Sequence, residues 1–428
     1  MSAPCQRNPE SLVWERPGAP PVDYSDGAES RILDLVRNAR DLSVFSPELA
    51  ALVSDWPTEY HFSRSRHALL RPLAIQPGAR VLELGCGCGA LTRFLGEAGA
   101  SVVAVEGNPL RAQIAAARCR DLPNVAVHLD HLAHFPSPPS FDWVLLVGVL
   151  EYAPAFSSSP DPVAETLARA ARFLSPNGRL AVAIENKLGL KYFNARPEDH
   201  LGIPFYGIQN LYAPKQPLTF GKAELVRLLA RAGFLHSLFF YPFPDYKLPE
   251  TILADSALSL PSFNPCDVLP LSSSRDYASP SAPPAFSEPL VWRELHANGL
   301  LPHLANSFLA VASINPLPPP HPAAPLAWSF FLPRDLQWAL QTTYSSTPSG
   351  ILADRQHLAP PPHPDSFQIG PRTFKIQTGP APFSPSPLPV DFLRARARPN
   401  SAPPPAETLP LSEIDLGQAL QLASLFPA

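Results

Sequence analysis

Lysine is scarce in this chain, with six residues against 27 arginines in a total of 428. The two together do not outnumber the acids. The net charge is −4 and the isoelectric point near 6.3, so no basic field marks nucleic acid as a partner. Cysteine is also sparse, five residues at 5, 86, 88, 119 and 266, odd in number and scattered. Cys86 and Cys88 have no second pair to complete a four-ligand zinc site, and no metal site is expected. With no paired framework and no secretory leader at its start, the chain is expected to be reduced and cytoplasmic. Long apolar runs are missing too. Residues 144–150 form one of the longest, far short of the about 20 residues that cross a bilayer, so no transmembrane segment is expected.

Proline, by contrast, is abundant: 57 residues, about 13% of the chain where about 5% is usual, many of them after residue 261. Five of the six lysines fall between Lys187 and Lys247, which marks that stretch as one needing ammonium groups. The length predicts two or three domains.

The chain is organised around VLELGCGCGALTRFLGEAGASVVAVEGNP, residues 81–109. An apolar run at 81–84 passes into Gly85-Cys86-Gly87-Cys88-Gly89, then a mixed small and apolar segment, then a second apolar run at 102–105 that ends in Glu106. This reads as strand, tight turn, helix, strand, acid. The first glycines permit positive φ and a close approach of backbone to ligand. The helix after them points free N–H groups at whatever sits on the turn. An acid at the end of the second strand is placed to accept both hydroxyls of a ribose. A dinucleotide site would read G-x-G-x-x-G. Here the third glycine falls one residue early and an acid, Glu83, precedes the turn.

That pattern resembles motif I of the class I S-adenosylmethionine-dependent methyltransferases, whose usual form is E/D-x-G-x-G-x-G. The cofactor carries no pyrophosphate. An acid near the turn suits its methionine amino group and would repel a phosphate. The resemblance implies an α/β, Rossmann-like class I methyltransferase fold: a mostly parallel seven-stranded sheet with helices on both faces. The cofactor residues it implies are Glu83, Gly85, Cys86, Gly87, Gly89, Glu106, Gly107 and Gly148, with either Asp130 or His131 reading the adenine. A scaffold of this fold that no longer binds the cofactor is the alternative.

In chain order, residues 1–26 show no periodicity and are expected to be a flexible lead-in. Residues 27–75 form a helical cap, with helical spacing over 30–53 and 64–73. The methyltransferase domain is expected over 76–313. Its further strands are placed at 125–129, 143–150, 179–184 and 234–241, and its final strand at 304–312. A helix opens with Thr219 as N-cap and ends before Gly233. Residues 256–289, rich in Pro and Ser, read as an insertion or rim loop. Residues 314–428 read as a Pro-rich, loosely folded accessory region, with patches that could fold at 328–344 and 367–378 and helical spacing at 409–426.

The segments IENKLGLKYF, EDHLGIPFYGI, TFGKAEL and YPFPDYKLP resemble a bacterial class I methyltransferase group found beside sugar and cell-surface polysaccharide genes. The resemblance spans about residues 59–311. The substrate of that group is poorly defined, and O-methylation of a small molecule or saccharide is what remains once RNA and amino-group acceptors are set aside. No N-P-P-Y-type tetrapeptide follows the fourth strand, as amino-group methylation of bases or glutamine would require. Methyl transfer is an in-line displacement, so the enzyme positions the two groups and removes a proton where the acceptor is a hydroxyl. Loops above the strand ends offer His61, Glu151, Glu185 and His200 as the base. His200 is preferred because histidine titrates near working pH and Asp199 is its neighbour. Lys187, Lys191, Tyr206, Asp245 and Lys247 are the expected acceptor-side residues, and the lysines would suit an anion such as a phosphate or uronic acid. The competing reading is a non-catalytic partner of glycosyltransferases that docks through its Pro-rich tail.

Overall fold

The computed structural model describes residues 5–394, apart from 19–20, 137, 139, 275–283, 319–320, 322, 333–335, 360–365, 370–371, 376–377, 386–389 and 391–392. In chain order the strands are β1 (Gln6–Arg7), β2 (Trp14–Glu15), β3 (Arg80–Leu84), β4 (Ser101–Glu106), β5 (Val125–Leu129), β6 (Phe141–Val147), β7 (Leu174–Glu185) and β8 (His236–Phe243). They continue as β9 (Thr251–Ala254), β10 (Ser307–Ser313), β11 (Pro325–Phe331), β12 (Leu340–Thr347), β13 (Gly350–His357), β14 (Ser366–Ile369), β15 (Arg372–Lys375) and β16 (Gly379–Pro382).

Among the described residues, all but the β14–β15 hairpin join one sheet of fourteen strands, ordered β1-β2-β5-β4-β3-β6-β7-β10-β8-β9-β11-β12-β13-β16. From β2 to β7 the pairs are parallel. From β7 onward they are antiparallel, with β10 inserted between β7 and β8. The expected seven-stranded sheet is thus corrected: β5 to β8 make seven neighbours inside a sheet twice as wide.

The central strands are apolar on both sides, as strands with both faces covered must be. Leu82, Val144, Leu146, Val182 and Ile184 face one core with Val163, Leu167, Leu225 and Leu229 from the helices Pro162–Phe173 and Lys222–Arg231. Val81, Leu145, Ala181 and Ala183 face the other core with Leu91, Leu95, Ala112 and Ala115 from the helices Ala90–Glu97 and Pro109–Arg118. Proline helps start these elements. Pro109 and Pro162 each sit in a first helical turn, behind Asn108 and Asp161 as side-chain caps.

Several sequence expectations are corrected. The lead-in is not free of structure: β1 pairs with β2, and β2 lies parallel to β5 with Trp14 opposite His128. The helical spacing at 30–53 resolves into Glu29–Asn38 and a separate turn, Pro47–Ala51. Residues Arg66–Leu73 wind as a 3₁₀ helix with Pro72 inside it. Thr219 does not cap the helix at 222. Its hydroxyl meets Tyr212 Oη at 2.8 Å, while the Glu224 carboxylate accepts the Gly221 N–H. The 256–289 stretch is not all rim, since Phe263, Cys266, Val268 and Leu269 are core. Strands β11, β12, β13 and β16 continue the main sheet through β9, so these C-terminal strands are docked edge to edge, while β14 and β15 pair with each other in a separate sheet. The helical spacing at 409–426 lies outside the described residues.

Candidate active site

The glycine turn after β3 is fixed by its surroundings. Gly85, Gly87 and Gly89 all have positive φ, +76°, +55° and +76°. A Cβ at Gly85 would fall 2.5 Å from Val149 Cγ2, and one at Gly89 would fall 2.8 Å from the Ala115 Cα. Glu106, at the end of β4, accepts the Gly87 N–H at 2.8 Å and the Asn108 N–H at 2.9 Å. Glu83 is buried and accepts the Thr92 hydroxyl at 2.6 Å. Burial pushes its carboxyl up to about 7. Cys86 is buried in the turn, and burial raises its thiol well above the usual value.

The ends of β4 and β5 meet N-terminal residues that sequence reasoning missed. Arg16 donates to both carboxylate oxygens of Asp130, at 2.8 and 2.5 Å. Asp130 follows β5 and its N–H donates to the Glu106 carbonyl. His131 turns away, its Nδ1 accepting the Ala133 N–H. Val22 donates its N–H to the Gly107 carbonyl at 2.9 Å, and a Cβ at Gly107 would lie 2.4 Å from Val22 Cγ2. Nothing in the composition of residues 5–26 signals these contacts.

The carboxyl ends of β6 and β7 carry a buried charge cluster. Gly148, with φ +67°, follows β6; a Cβ there would lie 2.8 Å from Tyr246 Oη and 3.6 Å from Glu151 Oε1. Glu185 ends β7, and both it and Glu151 are fully buried. His200 comes from the loop after the turn Leu190–Phe193. Its Nδ1 meets Glu198 Oε1 at 2.9 Å. Its Nε2 stands 3.8 Å from Glu151 Oε1 and 3.9 Å from Glu185 Oε2. Both oxygens of Glu151 and Oε2 of Glu185 have no hydrogen-bond partner. Burial raises the Glu151 carboxyl, despite His200. Burial alone would lower the His200 imidazole, but Glu185, Glu151 and Glu198 outweigh it and hold it well above the usual histidine value.

Two lysines close the cluster. Lys247 Nζ contacts Glu185 and lies 2.8 Å from Asp199 Oδ1. Lys191 Nζ lies 2.7 Å from Asp199 Oδ2 and 3.8 Å from Asp245. Burial would raise the Asp199 carboxyl, yet the two ammonium groups hold it far below the carboxylate range. Asp245 is buried and accepts the Lys247 N–H. The other candidates lie apart. Lys187 is held by Asn210 and Glu224, and Tyr206 donates to Gln216. His61 is buried 3.9 Å from Asp26, and its carbonyl accepts Arg118.

Residues 82–180 match the family model described as a methyltransferase domain. Over 118 residues the chain is 35% identical to a demethylmenaquinone methyltransferase of Tropheryma whipplei, a match covering 27% of this chain and 46% of that protein. Over 156 residues it is 32% identical to a ubiquinone biosynthesis O-methyltransferase of Xylella fastidiosa, covering 33% and 58%. A SAM-dependent methyltransferase structure from Thermotoga maritima aligns with a TM-score of 0.35 at 16% identity, over 64% of this chain and 100% of that one, too weakly to carry an argument. The chain spans about half the length of the curated relatives it matches. Residues 82–180 are thus similar to a methyltransferase domain, and they lie in a mixed sheet whose strands run parallel from β2 to β7. No helix among the described residues is long and apolar enough to cross a membrane.

Proposed function

We propose that this chain transfers a methyl group from S-adenosylmethionine to a hydroxyl oxygen of a small-molecule or saccharide acceptor held above the ends of β6 and β7. The observation that carries this reading is the meeting of Glu151, Glu185 and His200 beside Gly148, one strand away from the glycine turn. When bound, the cofactor supplies an electrophilic methyl. The protein's own part is to align the acceptor and receive its proton. Glu106 would hold the ribose hydroxyls, and Glu83 with the backbone at Gly85 and Gly87 the methionine end. The left-handed turn and the nearby acid fit that group.

Glu151 takes over the role of base that the sequence suggested for His200. Its oxygens are unpartnered and burial raises its carboxyl, whereas both ring nitrogens of His200 already face carboxylates of the chain, Nδ1 facing Glu198 and Nε2 facing Glu151 and Glu185. The expected anionic acceptor is not supported, because Lys187, Lys191 and Lys247 each face an acid of the chain itself. An uncharged hydroxyl, such as that of a neutral sugar, suits the site better. The saccharide acceptor and polysaccharide biosynthesis rest on the four acceptor-side motifs, and a glycosyltransferase partner on the Pro-rich tail of the competing non-catalytic reading. The cytoplasmic location rests on cysteines, all five of them free.

Incubation with methyl-labelled S-adenosylmethionine and either hydroxylated small molecules or cell-envelope glycan extracts tests the reading. Label should pass to an ether oxygen. Tight cofactor binding with no transfer to either acceptor class would leave only the scaffold.

A further inference from the structure

Glu151, Glu185 and His200 come from three separate parts of the chain, and their facing atoms lie within 4.8 Å of one another. None of the three facing pairs is a hydrogen bond. His200 Nε2 is 3.8 Å from one carboxylate and 3.9 Å from the other, and the three carboxylate oxygens named above have no partner. Two atoms each ~2.1 Å from one shared ion stand at most ~4.2 Å apart. The two measured gaps lie beyond hydrogen-bond distance and within that limit, and a closing movement of a few tenths of an ångström would bring these atoms around one ion. The remaining gap, between carboxylates, closes by rotation of the broad terminal torsion of glutamate.

The surroundings point the same way. Glu198 engages His200 Nδ1 at 2.9 Å, which directs Nε2 at the two glutamates. A carboxylate on the outer nitrogen is the usual support of a metal-bound histidine. Charge does not balance either. Glu151, Glu185, Glu198, Asp199 and Asp245 are five buried or nearly buried acids, and even with His200 counted beside the ammonium groups of Lys191 and Lys247 they face three cations. Buried carboxylates without a counter-charge are costly.

We propose that Glu151, Glu185 and His200 form a binding site for one divalent transition-metal cation, of the Mn²⁺ or Zn²⁺ kind. Two carboxylate oxygens and one imidazole nitrogen suit these ions better than Ca²⁺ or Mg²⁺, which favour oxygen alone. Three protein ligands leave a position open for an acceptor hydroxyl, whose proton a bound cation would loosen. Glu151 offers one oxygen to the ion and keeps the other for that proton. The cation's part in methyl transfer rests on the reading above, but its binding does not.

The full chain, stripped with a chelator, is dialysed against Mn²⁺ and followed by electron paramagnetic resonance and metal analysis. One Mn²⁺ per chain is expected, with nitrogen coupling from His200. His200→Ala should abolish the coupling, and it and Glu185→Gln should each weaken uptake by more than ~100-fold, since loss of an outer partner alone costs ~10-fold to ~100-fold. Calorimetry with S-adenosylhomocysteine shows that each variant is folded. Failure of the wild type to retain Mn²⁺ or Zn²⁺ while still binding the nucleoside overturns the proposal, with a proton on Nε2 then supplying the charge. So does uptake that both variants leave intact. Retention of Mn²⁺ without any methyl transfer would instead count against the enzymatic reading.

Discussion

The two halves of the crevice are built in opposite ways. The glycine turn, Glu83 and Glu106 lie within 24 consecutive residues and are held by backbone geometry: three left-handed glycines, and a carboxylate tied to two N–H groups. The acid cluster draws Glu151, Glu185, His200, Lys191 and Lys247 from about a hundred residues of chain and is held by charge. In the first half both acids have donors from the protein, Glu106 from two N–H groups and Glu83 from Thr92. The second has fully buried carboxylate oxygens with none. A site whose polar atoms are satisfied orients a ligand, and one with groups left over has something still to bind or move.

The sharpest way to break this contrast is Glu151→Gln. If the unpartnered carboxylate serves chemistry, kcat should fall by ~100-fold to ~10 000-fold, with S-adenosylmethionine affinity unchanged. Denaturant unfolding should show equal or greater stability, because an uncompensated buried charge is gone. A drop in stability with little change in turnover would make Glu151 an ordinary partner of His200.

Glu83 probes the other half through pH. Its carboxyl is about 7 in the folded protein against an ordinary 4.5, so the folded state binds this proton more tightly. Stability from this group is therefore whole below pH 4.5 and is lost as pH rises to about 7. The loss comes to about 3 kcal/mol. Glu83→Gln should flatten that part of the stability curve and leave the protein more stable at pH 8. A slope unchanged in the variant would mean that Glu83 does not carry a raised carboxyl in the folded protein. Next in size, Glu106→Gln should weaken S-adenosylhomocysteine binding ~30-fold, about 2 kcal/mol for a lost charge-assisted hydrogen bond. Calorimetry reads it directly.

What the sequence made legible follows the same divide. The stretch from Val81 to Glu106 announces its conformation because strand, turn and acid are set by neighbours. The strand at Val125–Leu129 was readable to the residue for the same reason. Candidates at 151, 185, 191, 200 and 247 could be named from their place beyond strand ends, but not their pairing, which depends on loops folding back. Thr219 looked like a cap and is not, since Tyr212 claims its hydroxyl and Glu224 serves Gly221. Strands β1 and β2, two residues each, are too short for any period to show. The C-terminal strands were hidden by prolines, which tolerate sheet edges and strand starts such as Pro325.

The smallest expected effect concerns the join between N-terminal segment and cofactor crevice. Arg16 occupies both oxygens of Asp130, whose side chain is only 1% exposed. An adenine amino group needs one of those oxygens if Asp130 is to read it. Oδ2 of Asp130 accepts from Arg16 alone and keeps a second lone pair, but Arg16 crowds the approach to it. Arg16→Met should accordingly change S-adenosylhomocysteine affinity only a few-fold, on the order of 1 kcal/mol, because a freed acceptor is offset by a lost counter-charge. The informative quantity is selectivity. Wild type and Arg16→Met are compared for the adenosine form against the inosine form, which lacks the amino donor. Asp130 as the adenine reader predicts that preference for the adenosine form grows in the variant and vanishes in Asp130→Ala. Equal preference in all three would leave Asp130 as an anchor for the N-terminal strand, and the adenine edge would then be read by backbone groups near Val22 and Gly107.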